Sequence, residues 1–393
     1  MKMTGAEIAV RALEDEGIRW TFGIPGTHNI ELYDALARSS KVQPILVTDE
    51  QSASFMADGV SRSSSKLGCI NVVPGAGLTH ALSGIAEAYM DGIPLLVLGC
   101  GVRTDLDKGF QLHDIDQLAV ARPVTKAQLQ PDDGSEVYGV IREACRIART
   151  PPAGPVFVEI PANQYLFRHQ ARIDPKESSP PPALKPSAEE IDAVKKLLTE
   201  SRRPLLYLGV GALSAGKDLV TLAEKLEAPV ATTFQGKGVF PEHHPLWLWC
   251  GFGTAAPTFV QKVAASCDMT LAIGCRFSEV GTGSYGLDPP QPLVHVDIEK
   301  SALNRNYRAK VAIEADAGSF IAALLKGLES RGVDDKLREG ISSGHDKVRA
   351  GWVAEEKNAR GVSPPRFLSG LQDVFGPDAI FTTDSGNGTF LGV

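Results

Sequence analysis

The stretch Thr48-Asp49-Glu50-Gln51-Ser52-Ala53-Ser54-Phe55-Met56-Ala57-Asp58-Gly59 decides how this chain is read. An apolar run, Ile45-Leu46-Val47, leads into it and reads as a buried strand. Beyond it, Ala53, Met56, Ala57 and Val60 recur at the spacing of one helix face. Glu50 therefore falls at the carboxyl end of a strand, beside the first turn of a helix. In open α/β sheets ligands bind at that end. The positive end of a helix also favours a carboxylate by about 0.3–1 kcal/mol. An ordinary first-turn acid would look the same, so the meaning of Glu50 depends on what surrounds it.

Outward from that stretch, residues 1–165 alternate helix and strand signals. The pattern predicts helices at 4–16, with Thr4 as cap, and at 29–38, 50–62, 77–89 and 135–148. Strands are predicted at 20–24, 42–48, 68–73, 93–99 and 155–160. Short apolar strands separated by helices indicate a parallel sheet covered on both faces. Residues 166–186 break the pattern, and Ser178-Ser179-Pro180-Pro181-Pro182 reads as a linker. Residues 187–331 alternate again, with strands at 204–209, 229–233, 269–274 and 293–298. Helices are predicted there at 214–227, 256–265 and 316–330. Residues 332–362 are polar and charged and read as a helix plus connector. Over 363–393, a helix near 365–374 and a strand at 379–383 run into Asp384-Ser385-Gly386-Asn387-Gly388. The predicted fold is α/β: two doubly wound parallel-sheet domains plus the start of a third.

Composition narrows the function classes. The 393 residues are 43% hydrophobic and 22% charged, with a net charge of -7 that is not clustered. No basic run points to nucleic acid, and no apolar run is long enough to span a bilayer. The N-terminus lacks the layout of a signal peptide. Six cysteines are scattered without a Cys-x-x-Cys pair, which suits reduced thiols in a cytoplasmic protein.

Several turns carry chemistry. Phe22-Gly23-Ile24-Pro25-Gly26-Thr27-His28-Asn29 joins a strand to a helix that Asn29 is placed to cap. Val73-Pro74-Gly75-Ala76-Gly77 is a second glycine-bearing turn, and without Gly-Lys-Ser/Thr it is not a Walker loop. Gly109-Phe110-Gln111-Leu112-His113-Asp114-Ile115-Asp116-Gln117 is a polar loop after a buried strand. In the second domain Leu208-Gly209-Val210-Gly211-Ala212-Leu213-Ser214 is a broken dinucleotide fingerprint, with Ser214 in place of the third glycine. The adjacent His243 and His244 point to opposite sides of an extended chain and do not suggest a shared metal.

Taken in order, Phe22 to Gly26, Asp49-Glu50-Gln51 with Met56 to Gly59 and Arg62, and Pro74 to Gly77 closely resemble the pyrimidine-binding domain of thiamine-diphosphate enzymes. Thr232-Thr233 through Gly236-Lys237-Gly238, Gly274-Cys275-Arg276-Phe277 and His295-Val296-Asp297-Ile298 are similar to their central domain. The acetolactate synthase-like branch is the nearest. The resemblance implies a transferase or lyase in which thiamine diphosphate serves as electron sink for a 2-keto acid such as pyruvate. The two-carbon unit then passes to a second keto acid or an aldehyde, as in branched-chain amino acid biosynthesis. It implies that Glu50 bonds the aminopyrimidine, a role suited to a carboxyl in a dry cleft. Gly26, Pro74 and Gly75 would line the ring. Gln111 would face the substrate.

Departures from the family pattern matter. Leu112-His113 stands where synthases carry an acid, which leaves the acceptor open. His113 lacks the adjacent histidine of family decarboxylases. His28 resembles the proton-relaying histidine of aldehyde-joining lyases, so a lyase or decarboxylase is the alternative. A structural FAD, which some relatives carry, would meet Gly209, Gly211, Arg276, Asp297 and Asp316; plain turns and strand ends also suit these residues. Magnesium would sit with the diphosphate at a Gly-Asp-Gly that these 393 residues do not contain. Little or no turnover is therefore expected of the chain alone. A homodimer or homotetramer is implied. The readings from other classes are a non-catalytic nucleotide-binding module and a nicotinamide dehydrogenase, the latter disfavoured by Ser214.

Overall fold

Thr4 starts the first helix as its sequence requires. Its hydroxyl accepts from the Glu7 amide at 3.2 Å, and the Glu7 carboxylate accepts from the Thr4 amide at 2.8 Å, a complete capping box. The computed structural model describes residues 2–175, 182–358, 360–383 and 386. They fall into two units, 1–182 and 183–393.

Unit 1 runs β1 (Lys2–Thr4), α1 (Gly5–Asp15), β2 (Trp20–Gly23), α2 (Ile30–Ala37) and β3 (Gln43–Leu46). It continues with α3 (Glu50–Ser63), β4 (Gly68–Val72), α4 (Ala76–Asp91), β5 (Leu95–Gly101) and α5 (Gln117–Ala121). It closes with β6 (Ala127–Leu129), α6 (Val137–Arg149), β7 (Pro155–Pro161), α7 (Ala162–Leu166) and β8 (Arg168–Gln170). Six strands form one sheet in the order β3-β2-β4-β5-β7-β6, every pair parallel. Its central strands are buried on both faces. Leu96 and Leu98 join the cluster of Ile8, Leu13 and Ile141, while Leu95 and Val97 join that of Ala53, Ile70 and Leu78.

Unit 2 runs α8 (Ala188–Glu200), β9 (Pro204–Leu208), α9 (Lys217–Leu226), β10 (Val230–Thr232), β11 (Trp247–Cys250) and α10 (Thr258–Ala265). Then come β12 (Met269–Ile273), β13 (Leu293–Asp297), β14 (Val311–Glu314), α11 (Ala317–Leu325), α12 (Asp335–Asn358) and α13 (Pro364–Phe375). Its sheet, β11-β10-β9-β12-β13-β14, is also wholly parallel. Both units are thus doubly wound α/β, as the alternation predicts.

Several expectations are corrected. The run Ile45-Leu46-Val47 is no buried strand: β3 is the sheet edge, and Leu46 is 70% exposed. Met56 is exposed too. The buried face of α3 is Ala53, Ser54, Ala57 and Asp58, because α4 crosses too closely for a long side chain. Asn29 does not cap α2. Its carboxamide folds back, accepting from Gly26 N at 2.7 Å and donating to Ile24 O at 3.3 Å. The expected linker at 166–186 begins with ordered chain, since β8 pairs antiparallel with β1. Residues 210–215 form a 3-10 turn ahead of α9. In the expected connector, Leu337 and Ile341 on α12 are buried in the core of unit 2. Residues 379–383 form no strand, because no strand among the described residues lies beside them to supply a ladder; Ile380 is 92% exposed. Linker residues 178–181 and the predicted Asp384, Ser385, Asn387 and Gly388 lie outside the described residues.

Candidate active site

The sheet of unit 1 changes direction at β2. The chain leaves β2 for β3 on one side, and β4 lies on the other. At such a switch point the turns beyond the strand ends diverge and open a crevice. The turns here are Ile24–Asn29 after β2 and Val73–Gly75 after β4, with Asp49-Glu50 after β3.

Asp49 caps α3, its carboxylate accepting from Gln51 N at 3.3 Å, and Glu50 is the first helical residue. The Glu50 side chain is only 13% exposed. A Cβ on Gly77 would lie 2.8 Å from Val73 Cγ2 and 3.4 Å from Glu50 Oε1, so α4 starts in close packing against the β4 turn with Glu50 in ordinary contact beside it. Tyr33 lies nearby, its phenol pushed up chiefly by burial and further by the Glu50 charge. His80 was not singled out from sequence. Its Nδ1 sits 3.7 Å from Glu50 Oε2 and 3.5 Å from Asp49 Oδ1. These three residues bring ligand atoms within 4.8 Å of one another. With His80 67% and Asp49 40% exposed, they enclose no cage for an ion.

Gly75 needs its glycine: φ is +64°, and a Cβ would meet His113 backbone oxygen at 3.0 Å. Pro74 and Gly75 are buried, Gly26 partly so. The His113 ring lies 5.9 Å from that of His28, tilted by 33°. Burial, then the neighbouring His113, push His28 below the usual imidazole range, which favours its neutral form. Gln111 Nε2 donates to Arg103 O at 2.8 Å. The structure thus brings Gly26, His28, Glu50, Pro74, Gly75 and His113 to one end of one sheet. The donor set suits the pyrimidine end of a thiamine cofactor: a shielded carboxyl beside a glycine-bearing turn.

The central-domain residues behave differently. The Gly209 and Gly211 amides donate to Ile273 O at 3.0 Å and Gly274 O at 3.1 Å. A Cβ on Gly211 would come within 2.9 Å of Gly274 Cα, so close turn packing accounts for the glycine. Asp316 caps α11 through Ser319 N at 2.7 Å, and Asp297 accepts from Glu299 N at 2.9 Å. Burial pushes Asp297 above the usual carboxylate range. The four are accounted for by turns and caps without a flavin. Arg276 is placed on the loop after β12.

Residues 3–120 match the profile of the thiamine pyrophosphate enzyme N-terminal TPP binding domain, and residues 191–324 that of the thiamine pyrophosphate enzyme central domain. The chain is 33% identical to the probable acetolactate synthase large subunit of Methanocaldococcus jannaschii, over 98% of this chain and 67% of that protein. The chain belongs to the thiamine pyrophosphate enzyme family. This thiamine pyrophosphate enzyme is also 28% identical to the acetolactate synthase large subunit of Buchnera aphidicola, over 98% of the chain and 68% of that protein. Against the acetolactate synthase large subunit of Corynebacterium glutamicum the figures are 30%, 98% and 62%. Among its described residues no helix is long and apolar enough to cross a membrane, and all six cysteines are free.

Proposed function

We propose that the chain serves a thiamine-diphosphate-dependent carboligase acting on 2-keto acids, acetolactate synthase-like, with pyruvate as donor. The observation that carries this reading is Glu50, a carboxyl only 13% exposed at the switch-point end of the sheet, with the glycine-bearing turn of Gly75 and Gly77 beside it. Thiamine diphosphate, when bound, supplies the carbon nucleophile and electron sink for decarboxylation and transfer. Glu50 would bond the aminopyrimidine ring. Gly26, Pro74 and Gly75 would line that ring, and Gln111, whose Nε2 donates to Arg103 O, would face the substrate. Magnesium would come with the diphosphate, away from Glu50. A homodimer or homotetramer and a cytoplasmic location follow from the same reading. Flavin is left to experiment, since the residues proposed for it have partners of their own.

One observation favours a second reading, a lyase or decarboxylase on another 2-keto acid or 2-hydroxy ketone. His113 lacks an adjacent histidine in sequence, yet His28 sits beside it in space. A neutral, partly buried His28 can take up and return a proton at a substrate oxygen. The test supplies pyruvate, thiamine diphosphate and magnesium to the chain alone and to a form joined to a diphosphate-binding domain. Acetolactate from the joined form supports the carboligase. Cleavage of 2-hydroxy ketones without acetolactate supports the lyase. Neither activity, with flavin absorbance in the purified protein, would leave a nucleotide-binding module. Little turnover is expected of the chain alone.

A further inference from the structure

We propose that Glu159, which no motif singles out, is a positioning residue for this crevice, acting through Gln117 on the Gly75 turn and on the two histidine loops. Glu159 lies near the carboxyl end of β7, opposite Gly99 of β5. A Cβ on Gly101 would fall 2.7 Å from its Oε1, so that glycine makes the room it occupies. Gln117, at the start of α5, is 2% exposed. Its Oε1 accepts from Gly75 N at 3.3 Å, its Nε2 donates to Cys100 O at 3.0 Å, and its amide faces Glu159. The Cys100 thiol in turn donates to the His28 carbonyl, and His113 backbone covers Gly75. One buried amide therefore ties together the Gly75 turn, the His113 loop and, through Cys100, the His28 loop.

A side-chain amide has two unlike ends. With Glu159 ionised, Nε2 has acceptors in both Glu159 and Cys100 O, which leaves Oε1 for the Gly75 amide. A protonated Glu159 keeps one acceptor oxygen but adds an O–H donor, which competes with the Gly75 amide for Oε1. Turning the amide would set Nε2 against the Gly75 N–H, donor against donor, and the turn must move. The groups facing Glu159 are Gln117, Asp116, Asp114 and the Cys100 thiol. Burial, then Asp116 and Asp114, raise its carboxyl to about 7 against the opposing pull of Gln117. The switch therefore works near neutrality.

That the crevice holds a pyrimidine rests on the proposed function; the coupling does not. Carbonyl-13C proline combined with 15N-glycine labelling isolates the two Pro-Gly pairs of the sequence, Pro25-Gly26 and Pro74-Gly75. The amide shift of Gly75 is followed from pH 5 to 9 in the full chain. The expected result is a step near pH 7 that Glu159→Gln abolishes and Glu159→Asp keeps at a shifted midpoint, while histidine ring signals still titrate in all three. Should Glu159→Gln not fold, Gln117→Leu serves, and it should uncouple Gly75 from the step. The same Gly75 step in Glu159→Gln or Gln117→Leu would overturn the proposal, since a histidine would then be its source. If the step follows Glu159 but Glu50→Gln leaves thiamine-dependent activity intact in the form joined to a diphosphate-binding domain, the positioning stands and the pyrimidine reading falls.

Discussion

Glu50 is carried by α3, and α3 is held by its crossing with α4 at Gly84. A methyl placed on Gly84 would lie 2.3 Å from Ser54 Oγ, 2.8 Å from Ser54 Cβ and 2.9 Å from Phe55 N. Ser54 is wholly buried, and its hydroxyl is tied to Gln51 O at 2.7 Å, so it has nowhere to turn. Close-packed interiors do not absorb such contacts, and the two helices must part by roughly half an ångström. Two effects oppose each other in Gly84→Ala. Helix propensity alone would stabilise by about 1 kcal/mol. Overpacking costs about 1–3 kcal/mol. Packing wins, and the expected net loss is up to about 2 kcal/mol, with a melting temperature lowered by about 2–4 °C per kcal/mol. Urea unfolding measures the loss, and faster hydrogen exchange in α3 and α4 locates it. Ser54→Gly combined with Gly84→Ala removes the contacted side chain and should recover part of the loss as a coupling between neighbours. A Gly84→Ala protein more stable than its parent would refute the close crossing and, with it, the stated reason for the placement of Glu50.

Two further outcomes follow from buried charge. Glu159 has its folded value raised from 4.5 to about 7, so the folded state holds the proton more tightly than the unfolded chain. Stability should therefore fall as pH rises from about 4.5 to 7 and level off above. Glu159→Gln should remove that fall, gaining about 1–2 kcal/mol at pH 8 after allowance for solvent screening and nothing near pH 4; urea midpoints at both values check it. Glu16, with a side chain 2% exposed, pairs with both Arg142 and Arg149, and Arg142 is itself 9% exposed. Glu16→Ala should cost about 3–5 kcal/mol, the loss expected when a buried charge is stripped of its partner, and a loss under 1 kcal/mol in urea unfolding would contradict it.

Both parallel sheets were legible from the apolar runs, because strands buried on two faces cannot avoid declaring themselves. The edge strands were harder to read. β3 reads from its sequence as a buried strand, and β6, β11 and β14 leave no strand signal. Edge position is a property of the assembled sheet, and short half-buried segments such as Ala127–Leu129 show no clear period. The helix Ala188–Glu200 does carry a local signal, the capping box of Ser187 and Glu190, although its apolar pattern alone does not disclose it. Within the site, Glu50, Gly75 and the histidines were readable because each lies on a turn with a distinctive local pattern. Gln117 falls in the polar loop with no role legible there, and Glu159 and His80 lie on β7 and α4 with no local pattern; only the tertiary fold brings Gln117 to Gly75 and His80 to Glu50. Asn29 suited a cap by position, yet its own turn claimed its carboxamide first.

The most direct test of the account is the exchange of the thiazolium proton of bound thiamine diphosphate for deuterium, compared between the parent sequence and Glu50→Gln in a form that binds the cofactor. General acid–base catalysis by a positioned carboxyl is worth roughly 100- to 10,000-fold, and the account predicts a slowing within that range while the cofactor still binds. Exchange in Glu50→Gln as fast as in the parent would contradict it.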